Sequence, residues 1–249
     1  MGIIAKSPEE IAIMRRAGRV AFKVLQTVAE EVRPGMITEE LDSICAEELI
    51  KHGAKSSFKG YRGFPANMCV SVNNEVVHGI PGKRQIRNGD LVSLDVGTIV
   101  DGFQGDVATT VGAGDISHEA KRLLEVAEGS LLAAIAAAKS GAHVGDISLA
   151  IQDYVESRGF SVVREYTGHG IGRDMHEEPA IPNFGFAKQG PVLRKGMTLA
   201  IEPMVNAGGW RTKVCSDQWT VVTADGSLSA HFEHTIAISD GDAEVLTRV

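Results

Sequence analysis

The chain has little cysteine, no long apolar run and no block of charge of one sign, and each shortage removes a class of protein. Three cysteines, Cys45, Cys69 and Cys215, are odd in number and far apart, which excludes a disulfide framework and leaves no CxxC pair for a structural zinc site. The longest uninterrupted apolar stretch, residues 131–138, falls far short of the roughly 20 residues that cross a bilayer. It reads as part of a core-facing helix. No basic leader followed by an apolar segment opens the sequence, so a secretory signal is not expected and the cytoplasm is the expected compartment. Low-complexity tracts are missing, and a net charge of -7 argues against bulk binding to nucleic acid or anionic membranes.

What remains is ordinary globular composition, 43% hydrophobic and 23% charged over 249 residues, enough for one large α/β or α+β unit with a substantial core. Ser7-Pro8-Glu9-Glu10 is a helix start, with Ser7 as cap and acids in the first turn, and Met14, Ala21, Leu25 and Val28 follow at helical spacing until Pro34-Gly35. Thr38 is expected to cap a second helix running to His52-Gly53. Strands are expected over 68–77, 91–100 and 105–111. The order then repeats, with helices expected over 117–139 and 146–158 and strands thereafter.

The repetition extends to residues. Gly35 and Gly53 bracket the second helix as Gly141 and Gly159 bracket the fourth, each pair offset by 106, and residues 86–95 align with 193–202 so that Asp95 and Glu202 occupy equivalent places. His78-Gly79-Ile80 is echoed by His169-Gly170-Ile171 at a shorter offset of 91. A period near 107 is too long for a solenoid and points to duplication of an α+β half. Residues 1–249 are therefore expected to form a single domain with internal halves at about 7–113 and 117–240.

Asp95, Asp106, His169, Glu202 and Glu233 sit in apolar, strand-like stretches, where uncompensated charge is expensive. Four carboxylates and a neutral imidazole form an oxygen-rich ligand set that suits Mn, Fe, Co or Zn better than a thiolate-lined site. Asp95 and Asp106 flank the Gly-rich stretch 97–105, expected to connect two strands of one hairpin. Taken singly, each Asp also suits a turn or strand-end cap, Glu202 and Glu233 also suit an exposed edge strand, and a glycine-flanked His169 also suits a structural role. The same applies to His78 and His176.

In combination, the segments HGIP at 78–81, DVG at 95–97, GDVATT at 105–110, GHGIG at 168–172, HEEP at 176–179, IEPM at 201–204 and FEHT at 232–235 resemble the type I methionine aminopeptidases along nearly the whole chain. The resemblance implies a pita-bread fold of two pseudo-twofold halves, with a curved antiparallel sheet covered by helices. It implies two divalent metal ions, Co, Mn, Fe or Zn, held by Asp95, Asp106, His169, Glu202 and Glu233. It implies hydrolysis of N-terminal methionine from nascent proteins when the next residue is small, with Glu202 as proton acceptor and His78 and His176 on the scissile peptide. Tyr61, Phe64, Cys69, Met175 and Trp219 would line the methionine pocket, although Phe58 stands where many relatives carry cysteine and Met175 where many carry an aromatic. As partners it implies nascent polypeptides, with the ribosome near the exit tunnel as the meeting place, no nucleic-acid specificity, no membrane and a monomer. Only three residues separate Arg173 from Glu177, which leaves no room for the helical insertion of type II enzymes, and a start at the catalytic core, without the N-terminal zinc-finger extension of many eukaryotic type I enzymes, suggests a bacterial-type form. The rivals are a proline-directed peptidase of the same fold and a catalytically inactive binding module.

Overall fold

The computed structural model describes residues 2–248. Among them, α1 (Pro8–Glu31) begins as expected: Ser7 Oγ accepts from the Glu10 N–H, the Glu10 carboxylate accepts from the Ser7 N–H, and Pro8 sits at the first helical position. The second helix, α2 (Thr38–Lys51), starts one residue earlier than Thr38 as cap would require. Its cap is Ile37, whose N–H donates to Glu40 Oε2 at 2.8 Å, while the Thr38 hydroxyl ties to Gly82. Two further helices are α3 (His118–Ala137), capped by Ser117, and α4 (Val144–Glu156), which starts two residues before Asp146 because that carboxylate reaches back to the His143 N–H at 2.7 Å.

The strands are β1 (Lys55–Ser56), β2 (Cys69–Val72), β3 (Glu75–Val77), β4 (Leu91–Val100), β5 (Phe103–Gly112), β6 (Ser161–Val162), β7 (Thr167–Gly170), β8 (Glu177–Pro182), β9 (Thr198–Ile201), β10 (Met204–Asn206), β11 (Thr212–Val214), β12 (Val221–Thr223), β13 (Ser229–His231), β14 (Glu233–Ala237) and β15 (Glu244–Val245). The main antiparallel sheet runs β1-β4-β5-β14-β9-β7-β8, with β2 also beside β4 and β15 beside β14. Two small sheets, β13-β10-β6 and β11-β12-β3, complete the α+β architecture.

Two strand expectations change in detail. The stretch 68–77 is not one strand, because Asn73, at φ 60, turns the chain between β2 and β3. Nor is 97–105 a connection. The turn between β4 and β5 is only Asp101-Gly102, both left-handed as a two-residue hairpin turn requires, and Gly97 and Gly105 lie inside the strands. Gly105 is there because α1 rides directly on the sheet: a Cβ at that position would lie 2.6 Å from the Gly18 backbone nitrogen.

The duplication is visible bond for bond. The N–H groups of Gly35, Thr38 and Glu39 donate to the carbonyls of Ile86, Arg84 and Gly82, and those of Gly141, Val144 and Gly145 donate to Leu193, Pro191 and Gln189. The Glu40 and Asp146 caps are equivalent too. The HGI echo, by contrast, is not a structural one. His169 pairs with Ala200 of β9, whose equivalent in β4, Ser93, pairs with Ser71, whereas His78 follows β3 in a different sheet.

Alternation gives the main sheet two faces. Val92, Leu94 and Val96 of β4 pack under α1 and α2 with Val24, Leu25 and Leu41, and Leu199, Ile201 and Ile236 pack under α3 and α4 with Leu123, Ile147 and Ile151. The opposite face, from the intervening positions, carries the polar side chains.

Candidate functional site

Five adjacent strands or strand ends each deliver one candidate ligand side chain to that polar face. Asp95 of β4 lies opposite Ala108, and Asp106 of β5 opposite Gly97, so the two acids are diagonal neighbours on one face. Glu233 of β14 also lies opposite Ala108, Glu202 follows directly on β9, and His169 of β7 pairs with Ala200 two residues before Glu202. Ligand atoms of Asp106, His169 and Glu233 lie within 4.8 Å of one another. The His169 Nε2 is 3.4 Å from Glu202 Oε1 and 3.9 Å from Asp106 Oδ2.

Burial dominates the electrostatics. It lifts the Asp95 carboxyl to about 7 and drives Asp106, Glu202 and Glu233 well above the ordinary carboxylate range, with the neighbouring acids adding to the effect on the latter three. Asp95 Oδ1, Asp106 Oδ1 and Glu233 Oε1 are buried without a hydrogen-bond partner. Burial also lowers His169 to about 3, so its imidazole is neutral at pH 7. Because Nδ1 lies 2.8 Å from the Gly170 carbonyl, which can only accept, the proton belongs on Nδ1 and Nε2 faces the acids with its lone pair. Orphaned carboxylate oxygens converging with an imidazole lone pair are what a divalent cation needs, and the donor set fits one.

The same pocket, about 140 Å³, holds the remaining residues named from the sequence: Tyr61, Phe64, Cys69, His78, Met175, His176 and Trp219 all line it with the five ligand candidates. Trp219 meets Phe64 edge-on at 5.1 Å and His78 at 6.4 Å. His78 has φ 59 and an imidazole that burial lowers to about 4. His176 stacks on Tyr61 at 5.4 Å and shares a 2.8 Å hydrogen bond between its Nδ1 and the tyrosine hydroxyl; its ring centroid lies 4.2 Å from that of His169, the two rings tilted by 40°. Burial, and then the charge of Arg62, hold it below the usual histidine value. Cys69 is a buried thiol pushed up by burial, a soft apolar wall and no nucleophile.

Phe58, already tied to the pocket by the sequence, is found in it, and two residues, Arg62 and His231, join the site that sequence reasoning had not assigned to it. Phe58 forms part of the wall and Arg62 part of the mouth. His231 places Nε2 3.7 Å from Glu202 Oε2 and has no hydrogen bond there. Its position two residues before Glu233 was a signal, although the chain breaks at Phe232 and β13 and β14 belong to different sheets.

An antiparallel pseudo-twofold sheet with an acid-rich centre on one face defines a class of metallohydrolase, and comparison with known proteins gives the class its family. The chain belongs to metallopeptidase family M24, which matches residues 12–240. It is 52% identical to the methionine aminopeptidase of Clostridium perfringens, over 99% of each chain, and 52% identical to methionine aminopeptidase 1 of Bacillus subtilis, over 99% of this chain and 100% of that one. The crystal structure of methionine aminopeptidase from Thermotoga maritima superposes with a TM-score of 0.98 at 47% identity, each chain covered in full. Prolidase from Pyrococcus furiosus shares the fold alone, with a TM-score of 0.81 at 22% identity over 99% of this chain and 66% of that one.

Proposed function

We propose that this chain is a metal-dependent methionine aminopeptidase that hydrolyses the peptide bond after an N-terminal methionine, with a small residue next. The observation that carries the reading is the set of orphaned oxygens of Asp95, Asp106 and Glu233 opening into a pocket whose far wall is Phe64, Cys69, Met175 and Trp219. An unbranched thioether side chain suits such a soft, apolar recess. Tyr61 stacked and hydrogen-bonded to His176 at the mouth crowds the space for the next residue, which favours a small one.

Asp95, Asp106, His169, Glu202 and Glu233 would hold the metal. Four carboxylates carry four negative charges, so two divalent ions neutralise them where one would leave a buried excess of two. The ions are Mn, Fe, Co or Zn by donor type. Bound there, they supply Lewis acidity that activates water near neutral pH and polarises a carbonyl. Glu202 accepts the proton of the attacking water and returns it to the leaving amine. It keeps 15% of its side chain exposed against 5% for Asp106, and so remains open to the pocket. His78 and His176, both neutral at pH 7, donate hydrogen bonds to the scissile peptide and to the oxyanion of its tetrahedral intermediate.

The test is to strip the purified protein with a chelator, restore Mn, Fe, Co or Zn in turn, and assay Met-Gly-, Leu-Gly- and Gly-Pro-initiated peptides side by side. Metal-dependent release of methionine alone is expected. Cleavage before proline would assign the chain to the proline-directed relatives, and no release with any metal would contradict the enzymatic reading.

A further inference from the structure

We propose that Arg62 forms a carboxylate-binding subsite at the pocket mouth, recognising an acidic side chain of the substrate a few residues beyond the scissile bond. The inference deepens the peptidase reading above and rests on it. Among the described lining residues Arg62 is the permanent cation, set at the opening while the acids and the apolar wall lie deeper. Its backbone is in the left-handed region, φ 49, between Gly60 at φ 86 and Gly63 at φ 91. The two glycines take that conformation freely, whereas a side chain with a Cβ takes it against steric resistance. Strain of that kind persists where the surroundings hold it, and here it holds a guanidinium over the Tyr61 ring, 5.3 Å from its centroid.

Among the described residues no carboxylate pairs with that charge, which reaches only the Tyr61 ring and the neighbouring His176. Arg15, Arg16, Arg84 and Arg164 each hold a carboxylate within 4.0 Å, whereas Arg62, among the described residues, has no such partner. Its fork of donors is therefore available to a ligand, and a carboxylate is the group it fits. From His169 the path outward runs to His176 at 4.2 Å, to Tyr61 at 5.4 Å and to Arg62 at 5.3 Å. An extended peptide advances about 3.3 to 3.6 Å per residue, so residues two to four beyond the cleaved bond come abreast of the guanidinium.

The other exit has the opposite sign. An adjoining groove past His169 and His176 is lined by Asp174, Glu177 and Glu178, of which Glu177 is paired with the buried Lys6. A peptide crossing Tyr61 thus meets a cation and one crossing the groove meets acids, so charge preference in the substrate reports the path taken.

The experiment measures kcat/KM for C-terminally amidated peptides Met-Gly-Gly-X-Gly, with X as Asp, Asn or Lys, on the metal-loaded enzyme and on R62A, R62K and R62E. Taking the Asp-to-Lys ratio within each variant cancels any general change in turnover. The wild type is expected to favour Asp over Lys by about three- to fivefold at low salt, chiefly through KM, and the preference should shrink at high salt. It should survive in R62K, disappear in R62A and invert in R62E. Free-acid and amidated Met-Gly-Gly, compared in the same way, separate recognition of a side chain from recognition of a chain-end carboxylate. A wild-type ratio near one, or a ratio unchanged in R62A, overturns the subsite. So does a preference for Lys untouched by R62E, which would send the peptide across Asp174 and Glu178. Failure to release methionine from every peptide overturns the hydrolytic reading, and the subsite with it.

Discussion

The strand pair β4 and β5 and the strand pair β9 and β14 are one arrangement built twice, and they differ in what joins their strands. In the first pair the joint is Asp101-Gly102, and both acids, Asp95 and Asp106, belong to one closed hairpin. In the second, residues 202–232 intervene, carrying β10 to β13, and the acids Glu202 and Glu233 stand at the two ends of that excursion. The excursion is not idle. Its strand β12 pairs with β3, Val221 opposite Val77, and so sets Trp219 against His78 and Phe64. The repeated framework brings the four acids to one face, and the unrepeated insertion adds Trp219 to the pocket beside them.

The strongest way to break the comparison is to substitute its equivalent acids. Glu202→Gln should keep the fold and lower kcat by at least about a hundredfold if the proposed proton acceptor is this carboxylate. Asp95→Asn should mainly weaken metal binding, with activity partly regained at high metal concentration. Matched metal titrations and kcat values check this, and identical behaviour of the two variants would erase the functional difference between the halves.

Next in size is the pH response of the metal-stripped chain. Burial lifts Asp95 to about 7 and the other three acids well above their usual range, so the folded chain holds protons that the unfolded chain releases, and stability falls as pH rises. His78, His169, His231 and His234, lowered by burial to about 4, 3, 3 and 4, act in the other sense and cost stability as pH falls below about 6.5. About one pH unit above that value the imidazoles are neutral in both states and the acids act alone. Denaturant melts between about pH 7.5 and 9 should therefore show the stripped protein losing about 1.4 kcal/mol per pH unit for each acid that stays protonated only when folded, and the metal-loaded protein nearly flat. A flat stripped protein would mean that the acids are not buried together.

On the pocket side, His78→Ala should lower kcat about ten- to a hundredfold with unchanged metal stoichiometry. Loss of metal would instead move His78 into the ligand set. The smallest effect lies in the framework. Glu40→Ala and Asp146→Ala each remove one reach-back cap, at about 1 kcal/mol by thermal melts, with Asp146→Ala the costlier because its other oxygen also accepts from the Lys188 N–H at 2.8 Å.

Much of this was legible in the sequence because it is local. The Ser7 cap, the helical spacing of α1 and the alternation of β4 follow from neighbouring residue types, and the offset near 107 exposed the duplication. Thr38 misled because the cap bond belongs to the Glu40 side chain and the Ile37 backbone, which residue type at the boundary does not reveal. The HGI echo misled because three matching letters carry no pairing information, and Gly97 and Gly105 misled because their reason is close packing on Phe58 and on α1, set by tertiary structure. For the same reason Lys6 with Glu177, and His231 beside Glu202, emerged only in three dimensions. The resemblance in motif order gathered the site residues into one group, and their convergence into one pocket is a matter of register across five strands.

The central claim is that the acids contributed by the two pairs hold two divalent ions that release methionine. Calorimetric titration of the stripped protein with Mn or Co, with methionine release from a Met-Gly peptide assayed at each addition, tests it most directly. Two ions per chain at saturation are expected, with activity that appears as they bind. A chain that binds no ion, or that cleaves at full rate in excess chelator, would contradict it.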